Sequence, residues 1–380
     1  MSKQKKTEAC PMRKTSIGGQ ALLEGIMMRG PQKSAMAVRN PEQEIVLEVW
    51  DNKISKRPKL FKLPIIRGVF NFVDSMVMGY KCLMRSAAIA GLEEEEPKQK
   101  KEKKQKKQKE SLTDAVRSES STEQEAPAPT QEDAIPSDSP EEKKTEEIQP
   151  WLMTVIMVVS TVLGVALAIG LFLFIPSALY SWLLEDAVER NVTHMALRSL
   201  IKSVFEGFLK IALLVAYMSL VTLMKDIRRT FQYHGAEHKT IFCYEHGKPL
   251  TVENVRGERR FHPRCGTSFL ILMLIVSIFI SFLIDPLFYL IAGHVPHLAI
   301  RTAIRLLLLP LIMGIGYELI KLAGKHENLF TRIISAPGMW LQHITVLEPE
   351  DDMIECAIKA FREVLPPEEK EQEEAKLSQE

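Results

Sequence analysis

Four long apolar stretches constrain the fold of this chain more than any other feature of its sequence. They cover residues 151–183, 202–224, 268–292 and 302–323. Each stretch can supply the roughly 20 apolar residues that a helix needs to cross a bilayer. The fold class we predict is therefore mainly α, a polytopic membrane protein with about four transmembrane helices.

The second stretch begins less cleanly than the others, because charged residues recur in it at helical spacing. Lys202 and Lys210 each lie four residues from Glu206, so both could pair with its carboxylate. Such pairing would reduce the cost of placing these charges inside a bilayer.

Charge asymmetry between the connecting loops predicts the orientation of the chain. The loop at 225–267 carries nine lysine and arginine residues, whereas the loop at 184–194 is short and net acidic. The positive-inside rule places the long basic loop and both termini in the cytosol. Arg301 and Arg305 lie on the opposite side, where we expect them to snorkel outward.

The segments before the first apolar stretch are soluble in character. Residues 16–62 alternate β-prone runs with turn residues, which predicts a small β-rich cytosolic element whose glycines make tight turns or close backbone contacts. Residues 63–91 predict an amphipathic helix that lies at the membrane surface or packs against other cytosolic parts. Residues 92–150 lack the apolar side chains of a core, which predicts a disordered, charged linker.

The two ends of the chain also differ from the apolar stretches. Residues 1–15 are interpreted as a disordered tail without the apolar segment of a cleavable signal peptide. Residues 325–365 predict a cytosolic segment with an amphipathic helix and a short strand at 340–347, and residues 366–380 an acidic tail. Five scattered cysteines are typical of free thiols in a reducing compartment rather than of a secreted disulfide framework.

The string H-x-x-E-H at residues 234–238 is the most informative motif in the chain. On a helix that continues from the second apolar stretch, His234 and His238 face the same way. That spacing allows two histidines to bind one Zn²⁺. Glu237 precedes the second histidine, as in the inverted metalloprotease motif, whose carboxylate is the general base that activates water.

Two hypotheses for a metal site follow from this string and its surroundings. In a catalytic site, His234 and His238 would take a third ligand from Cys265, His262 or Glu318 and leave one position open. In a structural site, His262 and Cys265 would complete a closed tetrahedral set. A polar loop that binds lipid headgroups, with no metal, is the third alternative.

Other groups in and near this region have simpler explanations as well. Glu318, towards the cytosolic end of the fourth stretch, could form an ion pair with Lys321 three residues on, or it could serve as a ligand or proton relay. The loop also contains three further donor side chains, Cys243, Glu245 and His246.

Several longer strings carry a family resemblance. They are IGGQALLEGIMMRGP at 17–31, HGAEHK at 234–239, RCGTSF at 264–269 and PGMWLQ at 337–342. In this order they resemble the signatures of the uncharacterised bacterial membrane proteins of YqhQ type, which are described as predicted metal-dependent enzymes. The resemblance covers nearly the whole chain except the linker and tails. It implies a bacterial cell membrane but no particular substrate, and the long linker looks like an insertion.

These observations together predict a metal-dependent hydrolase at the cytosolic membrane face. In this hypothesis the cofactor is a divalent metal, Zn²⁺, and Glu237 is the catalytic base. The alternative is a non-catalytic membrane scaffold or regulatory protein with a structural zinc site. A transporter is disfavoured, because we expect neither internal repeats nor pairs of broken helices. The partner we expect is the lipid bilayer and not nucleic acid, and a homo-oligomer is left open.

Overall fold

The computed structural model describes residues 14–52, 63–92, 150–263, 265–325 and 328–378. The tail at 1–13 and the linker at 93–149 lie outside the described residues. The chain forms two compact units, Glu94–Leu167 on the one hand and Met1–Glu93 with Ala168–Glu380 on the other. All contacts described below lie within the second, larger unit.

A small antiparallel sheet begins the larger unit. Its strands are β1 (Gly18–Leu22), β2 (Gly25–Arg29), β3 (Lys33–Arg39) and β4 (Ile45–Asp51), and they pair in chain order. Short turns connect them, as expected of a meander built from alternating β-prone runs and turn residues. The small β element predicted from the sequence is therefore present.

Helices make up most of the described chain. They are α1 (Ile66–Ile89), α2 (Pro150–Ile169), α3 (Ile175–Tyr180), α4 (Asp186–Asn191), α5 (Met195–Val221), α6 (Lys225–Glu245), α7 (Val252–Arg256), α8 (Gly266–Ala292), α9 (Leu298–Leu307), α10 (Leu309–Lys325), α11 (Leu329–Thr345), α12 (Asp351–Val364) and α13 (Pro367–Leu377). Two π-helical segments, Gly170–Phe174 and Ser181–Glu185, make the path from α2 to α4 continuous.

Among the described residues, three helices are long and apolar enough to cross a membrane. They are Val158–Asn191, Met195–Val221 and Gly266–Ala292. Helices α9 and α10 pass the same test only as a pair, and a bend of 47° separates them. Pro310 lies in the first turn of α10, where its missing N–H is tolerated. The count of three or four spans is compatible with the predicted membrane protein, and the broken helix was not expected.

The sheet and two polar helices enclose the main hydrophobic core. Met28 of β2, Tyr233 of α6 and Phe361 of α12 are all fully buried in it. Complete burial of a side chain of this size is worth about 1.5–3 kcal/mol. This core holds α6, with its histidines, against the sheet.

One prediction about local structure is wrong, and the structure adds detail to two others. The segment 340–347 is not a strand, because its residues up to Thr345 end helix α11; packing against α8 overrides their β propensity. The region 225–267 is mostly helical, and α6 places the H-x-x-E-H string on a helix, as expected. The acidic segment at 366–380 contains α13, in which Glu373 is buried and accepts a hydrogen bond from the Leu250 N–H at 2.6 Å.

The expected behaviour of the charges in the apolar helices also needs correction. Arg301 and Arg305 do not snorkel outward but are buried in ion pairs with Asp285 (2.6 Å) and Glu206 (2.5 Å). Helix packing brings the buried acids within reach, so pairing replaces solvation.

Candidate metal centre

Helix α6 brings the two histidines of the H-x-x-E-H string onto one face. The ring centroids of His234 and His238 lie 4.5 Å apart. Cys265, the residue just before α8, completes a group in which the candidate ligand atoms all lie within 4.8 Å of one another. Among the described residues, this is the group of three that could hold a metal ion.

The Nδ1 atom of each histidine ring contacts a backbone carbonyl oxygen. His234 Nδ1 lies 3.0 Å from the oxygen of Thr345, and His238 Nδ1 lies 2.5 Å from the oxygen of Arg260. A carbonyl oxygen only accepts, so each Nδ1 carries a proton and donates it. This arrangement leaves Nε2 of each ring as the ligand atom and is typical of metal-binding histidines.

Cys265 has the electrostatic surroundings of a metal-binding thiolate. Its Sγ lies 3.1 Å from His234 Nε2 and accepts the N–H of Thr267 in the first turn of α8 at 3.4 Å. Burial raises the pKa of the Cys265 thiol, but His234 and His238 outweigh burial and hold that pKa well below its usual value.

The contact between His234 and Cys265 also changes the pKa of the histidine. Burial lowers the pKa of its ring, and Cys265 outweighs burial and raises that pKa to about 9. A metal bound between His234 and Cys265 would displace protons from this pair, because metal binding releases the protons of its ligands.

Glu237 is positioned by β1 rather than by its own helix. Its Oε1 accepts the backbone N–H of Gly19 at 2.8 Å. Burial raises the pKa of the Glu237 carboxyl, although the two histidines act in the opposite direction. A Cβ at Gly19 would lie 2.7 Å from the Met27 carbonyl oxygen and 3.0 Å from Glu237 Cδ. Only glycine allows this close approach.

A cavity of about 260 Å³ adjoins the candidate ligands. It is bounded by the segment before β1 together with groups from α6 and the start of α8. The lining residues are Thr15, Ser16, Ile17, Gly18, Gly19, Glu237, His238, Ile241, His262, Cys265 and Gly266. The group of three therefore has an open side, on which Glu237 also lies.

His262 lines this cavity but does not belong to the group of three. Its backbone N–H donates to Gln342 Oε1 at 2.8 Å, and Gln342 Nε2 donates to its carbonyl at 2.8 Å. The ring Nε2 lies 3.9 Å from Glu245 Oε2. His262 thus lies beside a carboxylate, within ring contact of His238.

Glu318 lies in a different set of contacts from the histidines. Its carboxylate forms a two-pronged ion pair with Arg67 of α1, with Nε and Oε1 2.7 Å apart. The pairing with Lys321 expected from spacing is therefore replaced by a partner that is distant in sequence. Glu318 joins α1 to α10 and is not among the clustered ligands.

The other donor side chains of the 225–267 region have structural contacts. Cys243 is buried in the core, and burial raises its pKa to about 12. Glu245 accepts the N–H of Thr15 at 2.8 Å, and His246 Nδ1 lies 2.8 Å from Glu258 Oε2.

Sequence reasoning missed the groups that position the ligands. Gly19 and Gln342 lie within strings that carry the family resemblance, and that was the available signal, although no role was assigned to them. The carbonyl oxygens of Arg260 and Thr345 left no signal, because a backbone carbonyl is the same at every residue.

The fold and the site define a mainly helical protein with three or four candidate membrane spans and a His–His–Cys group that could hold a metal ion. The chain belongs to the family described as "Protein of unknown function (DUF1385)", which matches residues 63–367. It is also similar to "Uncharacterized protein YqhQ" of Bacillus subtilis (strain 168), with 29% identity over 354 residues and 92% of each chain covered. No solved structure matches this chain. The resemblance to proteins of YqhQ type is thus confirmed.

Proposed function

We propose that this protein is a zinc-dependent hydrolase, in which His234, His238 and Cys265 hold the metal and Glu237 is the general base. The observation that carries the proposal is the pair of Nδ1–H···O=C bonds, which directs both Nε2 atoms toward the same thiolate. Two imidazoles and one thiolate suit Zn²⁺, which binds nitrogen and sulfur ligands tetrahedrally. Three protein ligands leave one position for substrate or water.

The roles of the residues follow from their positions. When bound, Zn²⁺ would act as a Lewis acid toward a substrate oxygen. Glu237 lines the cavity beside the ligands, and burial raises the pKa of its carboxyl, which makes the carboxylate a stronger base toward water. The Gly19 N–H fixes the orientation of that carboxylate.

The start of α8 supports a site at the membrane surface. Cys265 immediately precedes Gly266–Ala292, one of the candidate spans. The nine basic residues between 225 and 267 favour the cytosolic side by the positive-inside rule. We infer that substrate reaches the cavity from the cytosolic face of a bacterial cell membrane.

The surface of α1 supports contact with lipid. Phe70, Val73, Met76 and Val77 are exposed apolar side chains on this helix. The helix also packs against α10, where Asn71 Nδ2 donates to Tyr317 Oη at 2.9 Å. An apolar face beside a candidate span is typical of a helix at the membrane surface.

The alternative, a structural zinc site in a scaffold protein, has one observation in its favour. The candidate ligands and their carbonyl partners join α6, α8 and α11, since His234 contacts both Cys265 and Thr345. A metal clip at such a junction would stabilise the fold without chemistry.

Glu237→Gln separates the two functions. The full-length protein and its variants are purified for zinc analysis by mass spectrometry and tested for complementation of a deletion strain. A catalytic base predicts that Glu237→Gln retains zinc and fails to complement, while His234→Ala and His238→Ala lose both. The exposed Glu371→Gln is the matched control. Full complementation by zinc-loaded Glu237→Gln would instead favour the scaffold.

A further inference from the structure

A second cluster of charged groups lies among the apolar helices. Six charged side chains there are at most 9% exposed: Lys202, Glu206, Lys210, Asp285, Arg301 and Arg305. Glu206 lies eleven residues after Met195, the first residue of α5, or about 17 Å along a helix axis. The cluster is therefore deep within a candidate span and not at its end.

The two buried acids are fully engaged with the two arginines. Arg301 holds Asp285 through Nε (2.8 Å) and Nη2 (2.6 Å). Arg305 Nη2 holds Glu206 at 2.5 Å, and the Ser177 hydroxyl donates to the same carboxylate at 2.8 Å. The two arginines therefore neutralise the negative charge of both buried carboxylates.

Positive charge remains after this pairing. Lys202 Nζ lies over the ring of Tyr180, 5.0 Å from its centroid, and Lys210 forms no ion pair within 4.0 Å in the part of the chain described. Arg305 Nε is buried without a hydrogen-bond partner. Glu185 is near Lys202 but half-exposed, at the rim of the cluster. Four buried cations thus face two buried carboxylates.

Such an excess is costly in an apolar environment unless an anion compensates it. The helix break supports a ligand here, because Arg305 lies three residues before Leu308, between α9 and α10. Broken helices within membranes are typical of ligand sites, since backbone freed from the helix lines them.

We propose that this cluster binds a phosphate group, either as inorganic phosphate or as the headgroup of an anionic lipid. Lys202 and Lys210 supply its charge partners, and Arg305 Nε supplies a hydrogen bond. Inorganic phosphate carries up to two negative charges near neutral pH, which matches the excess of two, whereas the phosphodiester of a lipid headgroup carries one and would offset half of it. The site does not depend on the metal centre, which other residues form.

Lys210→Met tests the proposal, because methionine keeps the length and removes the charge. Full-length protein in phosphatidylcholine nanodiscs is titrated with radiolabelled inorganic phosphate, and native mass spectrometry measures anionic lipid retained after purification. We expect Lys210→Met to weaken phosphate binding, or lipid retention, about 10- to 100-fold, as for loss of one charge-assisted hydrogen bond. Arg190→Met is the control, since Arg190 and its partner Asp186 are both exposed.

Thermal unfolding provides the second measurement. Ligand that binds only the folded state stabilises it, so phosphate, or anionic lipid in the nanodisc, should raise the midpoint of the native protein and of Arg190→Met but not of Lys210→Met. Lys202→Met replaces Lys210→Met if the latter does not fold. If Lys210→Met loses the stabilisation by free phosphate, the ligand is a soluble anion. If Lys210→Met instead loses the retained anionic lipid, the ligand is a lipid headgroup. Equal phosphate binding and lipid retention by all variants, or neither in the native protein, would overturn the proposal.

Discussion

Two adjacent glycines of β1 provide a sharp test of the structure. A Cβ at Gly18 would meet nothing within 4 Å, whereas a Cβ at Gly19 would lie 2.7 Å from the Met27 carbonyl oxygen and 2.8 Å from Met28 Sδ. Both glycines belong to the same strand and neither has a positive φ. Replacing glycine by alanine reduces the conformational freedom of the unfolded chain, which stabilises the folded state by about 0.4–1 kcal/mol. This contribution is therefore similar for Gly18→Ala and Gly19→Ala.

The magnitude for Gly19→Ala follows from its contacts. Relief of the overlap with a strand carbonyl and the fully buried Met28 costs about 1–3 kcal/mol. Displacement of β1 also weakens the 2.8 Å hydrogen bond from the Gly19 N–H to Glu237, and a bond to a charged group contributes about 1.5–3 kcal/mol. Once the stabilising effect on the unfolded chain is subtracted, we expect Gly19→Ala to lower the free energy of unfolding by about 2–5 kcal/mol.

Gly18→Ala should be neutral or slightly stabilising, because only the effect on the unfolded chain remains. The assay is thermal unfolding of both variants by circular dichroism in the same detergent, together with complementation. Gly19→Ala should unfold several degrees below Gly18→Ala and fail to complement. If the two variants match in both measurements, the contact between β1 and Glu237 does not exist as described.

Three further predictions concern buried positions in the core and beside the metal centre. Gly235→Ala should destabilise the protein by about 2–4 kcal/mol and lower its zinc content, because the new Cβ would lie 1.9 Å from the Leu347 carbonyl oxygen; unchanged zinc would contradict this. Burial raises the pKa of Cys243 to about 12 and of Cys356 to about 11, so mass spectrometry should find neither thiol alkylated by iodoacetamide at neutral pH in the folded state. Gln342→Leu removes partners of two buried backbone groups and should cost about 2–5 kcal/mol, with Gln342→Glu as the variant that retains one acceptor; a midpoint equal to that of the native protein would refute this.

The helical class and the candidate ligands on α6 followed from local pattern. Apolar runs of sufficient length predict membrane spans, and a spacing of four places His234 and His238 on one helix face. Both signals act between residues close in sequence, so no knowledge of tertiary contacts was needed. The choice between Cys265, His262 and Glu318 as third ligand needed distances that spacing does not contain.

Distant contacts decided the partners of charged groups. Spacing suggested Glu318 with Lys321 and Glu206 with its neighbouring lysines, yet the structure pairs Glu318 with Arg67 and Glu206 with Arg305. In a low-dielectric interior the geometry of the pair matters more than closeness in sequence. Helix packing supplies that geometry.

Local sequence patterns were enough to predict apolar helices suited to a membrane, a small sheet and two histidines able to share a metal. Three features emerged only from the folded chain: Cys265 joins the histidines, the Gly19 N–H holds Glu237, and carbonyl oxygens of Arg260 and Thr345 orient the imidazoles. Sequence patterns do not contain these contacts, because the groups act through backbone atoms or across long separations in the chain. Backbone atoms are alike at every residue, and their positions follow only from the packing of α6, α8, α11 and β1.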